Sequence, residues 1–177
     1  ASGTAYITRK LVFEIVGGFD ETLFAHMEEI DYHWRCHLMG HSVWVEPKSV
    51  IHHMGGATLA YGSPEKTYLN HRNSILLMLT NYSFFVSIYL FVPRLVMEVL
   101  SLLKYAFSSK LNHAWAQLRA LWWILVHPHI IGPRRWKTWK LRKVKDSEIL
   151  KKLHPQSIVW QYFAQQLKTY DQLKGAK

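Results

Sequence analysis

The chain has 177 residues, with 22 Lys and Arg against 12 Asp and Glu, a formal charge of +10 and a pI near 9.7. That length buries one core with an appendage but excludes two full catalytic domains, and the charge favours an anionic partner: nucleic acid, a nucleotide or an acidic membrane surface. A single cysteine, Cys36, excludes an intrachain disulfide and a cysteine-based zinc site, argues against redox chemistry and fits a reducing compartment.

The opening "ASGTAYITRK" has neither the apolar run nor the cleavage region of a signal peptide, and the chain reads as part of something longer. "TAYIT", residues 4–8, predicts a short strand, and "RKLVFEIVGG" a short helix closed by Gly17 and Gly18. From Met27 to Met39, apolar residues at Met27, Ile30, Trp34 and Leu38 form a helical stripe, with Gly40 placed to cap its end. "HSVWVEP" and "KSVIHH" predict two short strands broken by Pro47, and "MGGATLAYGSP" a loop before helix resumes from Glu65 to about Asn81.

Composition changes near Asn81. Residues 81–107 are strongly apolar, but Arg94, Glu98 and Lys104 interrupt the run and Pro93 falls within it, which argues against a bilayer-spanning helix. A second apolar stretch, 118–133, leads into "RRWKTWKLRKVK", where seven basic residues interleave with two tryptophans. An apolar helix with a basic, Trp-rich flank suits an anionic membrane interface. The last thirty or so residues predict one or two amphipathic helices.

The chemistry-bearing residues concentrate in "HMEEIDYHWR", residues 26–35. At about 100° per residue, Glu28, Asp31 and Arg35 share the face away from the apolar stripe, and Asp31 precedes Arg35 by four, the favourable order for a helix ion pair. These readings make them a solvated face. Glu29 projects to the other side, beside His33 and Cys36, where a partly desolvated carboxyl suits a general base. By spacing alone, a solvated helix surface remains the simpler reading for all three acids. His52 and His53, consecutive in a predicted strand, point to opposite faces, so at most one serves as a metal ligand. Gly55 and Gly56 admit a close phosphate or merely a turn. Arg72 in "YLNHRN" offers a bidentate donor to a diphosphate or an ion pair with a nearby Glu.

The order of these segments carries a resemblance. "GGFDETLF", "EEID" followed by "WR", a Pro-broken strand pair, "HHMGGATL" and "SPEKTYLNHRN" together resemble the C-terminal half of family 2 glycosyltransferases, the GT-A-fold enzymes that include rhamnosyltransferases. The resemblance covers residues 2–81. It implies an α/β fold: the C-terminal part of a GT-A domain at 1–81, then apolar interfacial helices at 82–133 and a basic, amphipathic helical tail at 134–177. It further implies an inverting transfer from a nucleotide-sugar donor to a lipid-linked or glycan acceptor in envelope glycan synthesis. Glu29 would be the catalytic base, with Glu28, Asp31 and Arg35 supporting the acceptor side. Arg72 would hold the donor diphosphate, and His53 would help to bind a divalent metal, Mg²⁺ or Mn²⁺. The main metal motif and the donor-binding half would lie before residue 1, so this fragment alone would be inactive. The expected location is the cytoplasmic face of the cell membrane, peripheral or monotopic, with no nucleic acid partner. Two other classes fit the composition: a noncatalytic membrane-interface protein and a basic nucleic-acid-binding module.

Overall fold

A computed structural model of the chain describes residues 5–53, 59–154, 156–169 and 171–172, and among them every regular element is helical. The helices are α1 (Lys10–Val16), α2 (Glu28–Leu38), α3 (Pro64–Asn81), α4 (Phe84–Phe107), α5 (Leu111–Val126), α6 (Pro128–Leu141), α7 (Asp146–Leu150) and α8 (Ile158–Phe163). A single 3-10 turn, Glu21–Leu23, lies between α1 and α2. The expected α/β architecture is therefore corrected to an all-helical one.

The described parts of the three predicted strands, residues 5–8, 41–47 and 48–53, lie outside helices but form no ladder. Alternating sequence predicts which face a strand would bury, but a strand exists only where a neighbouring backbone accepts its N–H groups. Among the described residues, the N–H groups of these segments make the turn bonds from His41 to Cys36 O and from Ser49 to Glu46 O but no ladder.

The helices begin and end for local reasons that the sequence carries. Gly17, with φ +88°, takes the left-handed conformation that closes α1. Ser63 accepts from the backbone N–H of Lys66 at 3.3 Å, and Pro64 occupies the first position of α3, where its missing N–H costs nothing. Pro128 plays the same part in α6.

The chain forms two compact units, one running to Val144 and one beginning at Lys145. In the first, α3 is the central helix and packs against α4, α5 and α6. Ile75, Leu76 and Leu77 of α3 close over Leu23 and Ile124, and the small Ala116 and Ala120 let α5 lie against Tyr68 and Leu69. A separate cluster of Val16, Tyr32 and Cys36 joins α1 to α2. In the second unit, Ile149 and Gln161 are buried, and Gln161 Oε1 accepts from His154 Nε2 at 2.8 Å.

The stripe predicted for α2 is also corrected. Ile30 is 44% exposed, whereas Asp31 and Arg35 are 1% and 4% exposed. Polar partners supplied by other elements turned this helix so that its ion pair faces inward.

Candidate functional site: the α2 turn and the apolar face

Asp31 and Arg35 are tied into the fold on every side. Arg35 Nε and Nη2 lie 2.9 and 2.7 Å from Asp31 Oδ2, while Nη1 and Nη2 donate to the carbonyls of Val16 and Gly18 at 2.7 Å each. Asp31 Oδ1 accepts from Asn81 Nδ2 at 2.9 Å, and Arg134 of α6 approaches it at 3.6 Å. Arg134 also pairs with Asp20 and donates to the Thr22 hydroxyl. A paired, hydrogen-bonded buried charge of this kind holds elements in register. Burial raises the Asp20 carboxyl, but its hydrogen bonds with Thr22 and the Arg134 charge outweigh that effect and leave its pKa below the ordinary value.

Arg72 and Asn73 perform a related task. Arg72 Nη2 donates to the carbonyls of Thr22 and Leu23 at 2.8 and 3.2 Å, and its Nε to Asn73 Oδ1 at 2.8 Å. The guanidinium also lies over the Tyr68 and Trp123 rings. Asn73 Nδ2 is within 2.9 Å of the carbonyls of Leu23, Ala25 and His26. These two side chains hold a turn in which Phe24, His26 and Met27 all have positive φ, at 59°, 63° and 73°. Such conformations are costly for residues with a Cβ and persist where the surroundings over-determine them.

That turn leads straight into α2, whose first residues are Glu28 and Glu29. His26 Nε2 and Glu28 Oε2 are buried without a hydrogen-bond partner. Glu29 is partly exposed and close enough to His33 to act on its charge; burial lowers the His33 imidazole and the Glu29 charge opposes it. Burial likewise pushes the Cys36 thiol up, against a nucleophilic role. The site thus combines two carboxyls and an imidazole at a strained helix entry. The strain and the unpaired His26 were not legible in the sequence, since no glycine marks residues 24–27.

His53 is exposed and lines a different feature, a groove whose walls also include residues 5–9 and 41–46. No three His, Cys, Asp or Glu side chains that could hold a metal ion converge among the described residues. Gly55 and Gly56 lie outside the described residues.

The second functional feature is a surface. α4 is a 24-residue helix long and apolar enough to cross a membrane, and only 11% of its most apolar stretch is buried. Arg94 and Glu98, which break the run in sequence, point inward: Arg94 donates to Glu98 Oε1, and Glu98 Oε2 also meets His71 Nδ1 at 2.7 Å and Gln117 Nε2 at 2.6 Å. The outward side is left apolar, with Phe85, Ile88, Val92, Val96, Val99 and Leu103 exposed. α5 adds Leu111, Trp115, Leu118, Trp122 and Leu125 at helical spacing. In α6, Arg135 donates to the Leu79 carbonyl and lies over the Phe84 ring, placing the basic helix beside the start of the apolar one. Trp136 and Trp139 stack in the open at 4.9 Å, with Lys140 over Trp136.

No protein-family model, curated protein or solved structure matches the chain. With no strand among the described residues, this overturns the resemblance to family 2 glycosyltransferases and the GT-A fold. Its motifs are short, and two now have structural explanations: the Asp31–Arg35 pair joins α2 to α1 and α3, and Arg72 with Asn73 holds the turn at 22–26.

Proposed function

We propose that this chain works at a membrane interface, seated monotopically by the apolar faces of α4 and α5 with the Trp- and Lys-bearing side of α6 at the headgroups. The observation that supports this most is the polarity of α4, which turns Arg94 and Glu98 toward the protein and its large apolar side chains outward. An exposed apolar area of this extent is costly in water unless something covers it. Lipid is the fitting cover, because the helix beside it carries exposed Lys137, Lys140, Trp136 and Trp139, the residue types that favour an anionic interface. Because α4 packs on α3 and α5, one side meets protein and the other lipid, as a monotopic helix requires. The cytoplasmic leaflet, which carries the anionic lipid, is the corresponding side.

Flotation with vesicles tests this directly. The chain should float with phosphatidylserine-containing vesicles, and Lys137→Glu with Lys140→Glu should weaken binding by roughly 10-fold or more, at about 1 kcal/mol per basic residue. Flotation unaffected by anionic lipid and by these changes would remove the reading. Tight, steeply salt-dependent binding to oligonucleotides without lipid binding would favour the nucleic-acid alternative.

A second reading, sugar transfer from a nucleotide-sugar donor to a lipid-linked or glycan acceptor, is favoured by the strained turn at 24–27 and the unpaired polar atoms beside Glu29. Strain and unsatisfied polar groups concentrate at functional sites. In this reading Glu29 removes the acceptor hydroxyl proton. Transfer from a panel of nucleotide sugars to membrane lipid extract should fall by roughly 10²-fold or more in Glu29→Gln; unchanged transfer would return Glu29 to the helix surface.

A further inference from the structure

The strained turn and the proposed lipid surface meet on one helix. α6 turns Arg134 and Thr138, four residues apart, toward the protein, while Trp136, Lys137, Trp139 and Lys140 are exposed. From the inner side Arg134 reaches both flanks of the turn at 24–27: Asp20 and the Thr22 hydroxyl before it, and Asp31 after it. Just past α6, the backbone N–H groups of Lys143 and Val144 donate to the Leu38 carbonyl at 2.7 and 3.1 Å, and Arg142 donates to the carbonyl of Asn81, whose side chain holds Asp31. α6 and the residues that follow it therefore grip α2 near both of its ends. The second clamp is rooted on the same side. Arg72, which bonds the Thr22 and Leu23 carbonyls, lies over Trp123 of α5, and Trp123 stacks on His127 at 4.3 Å where α5 passes into α6.

We infer that contact of α6 with anionic lipid locks the turn at 24–27, so that the start of α2 holds its strained shape at a membrane and relaxes away from one. The inference rests on the membrane reading and adds the regulation of the α2 turn to it. Positive φ at Phe24, His26 and Met27 lasts only while neighbours over-determine it, so the turn has a relaxed alternative. Arg134 must leave Asp20 and Thr22 before α6 can move from the turn, which makes the docked helix and the closed turn one state. Lipid that binds the docked helix and not the displaced one stabilises the closed turn by linkage, and the closed turn raises lipid affinity by the same factor. Trp136 and Trp139 make the signal a surface: a free phosphate would satisfy Lys137 and Lys140 but leave both indoles in water.

Hydrogen exchange of the full chain tests the inference at the amides of Leu23, Phe24 and Ala25, which donate to the carbonyls of Asp20, Glu21 and Leu23. Phosphatidylserine-containing vesicles at about ten times their Kd should slow exchange there by about 10-fold. Phosphatidylcholine vesicles and inorganic phosphate should not. Arg134→Gln should float with the anionic vesicles as the wild type does, yet show no more than about 2-fold protection of these amides. A general stabilisation by lipid would survive that change. Should Arg134→Gln lose its helical circular dichroism, Asp20→Asn with Thr22→Val removes the turn-side partners of Arg134 instead, with the same result expected. Flotation without protection overturns the inference and leaves the membrane reading standing, as does protection that persists in the variant or appears with phosphate alone. Failure to float overturns both.

Discussion

α2 and α4 each carry an acid and an arginine four residues apart, and in sequence the two pairs look alike. Asp31–Arg35 reads as a solvated helix-surface pair, worth a few tenths of a kcal/mol, and Arg94 and Glu98 read as interruptions of an apolar run. In the structure both turn inward, but for different reasons. The α2 pair is sealed among backbone carbonyls and Asn81, with Arg35 anchored to Val16 and Gly18. The α4 pair is drawn inward by His71 and Gln117, while the opposite side of that helix stays apolar and exposed. An i,i+4 pair therefore says nothing of its burial until the neighbouring elements are known.

The largest effect that would sharpen this comparison is at Arg35. Arg35→Met leaves the Asp31 carboxylate buried with most of its compensation gone, and should lower unfolding free energy by about 3–5 kcal/mol in denaturant titration. Arg94→Met should cost less, about 1–3 kcal/mol, because Glu98 keeps its bonds to His71 and Gln117 and Arg94 is partly solvated. Equal losses would mean that the two pairs are equivalent after all. Asn73→Ala, which strips a donor from three turn carbonyls, should cost about 1–3 kcal/mol and speed exchange at residues 24–28.

Smaller effects follow. The depressed Asp20 carboxyl contributes stability that is present above its unfolded pKa of about 4 and is lost as pH falls from there through the folded value. Asp20→Asn should flatten the acid limb of a stability–pH curve and leave its slope near neutral pH unchanged; an identical acid limb would place the proton uptake elsewhere. Ile30→Ser should change stability by no more than about 0.5 kcal/mol, since Ile30 is on the open side of α2. A loss comparable with a core truncation would restore the stripe expected at Met27, Ile30, Trp34 and Leu38.

Much of the helical content was legible. α1 and its stop at Gly17, the span of α2 and the run of α3 to Asn81 follow from periodicity, capping residues and glycine, all of which act within a few residues. The apolar surface of α4 and α5 was also foreshadowed by composition. The candidate site was only half visible: Glu28 and Glu29 stood out by type and spacing, but the turn before them, the clamp by Arg72 and Asn73 and the link through Arg134 depend on partners about fifty or more residues away.

What the sequence determined by itself was local: where helices start and stop, which stretches are apolar and where the basic, Trp-rich flank begins. What only the tertiary structure decided was which side of each helix is buried, and whether alternating segments become strands. The physical reason is the same in both cases. Hydrogen bonds of a helix close within the segment, whereas a strand's ladder, a buried charge and a held turn are completed by distant atoms.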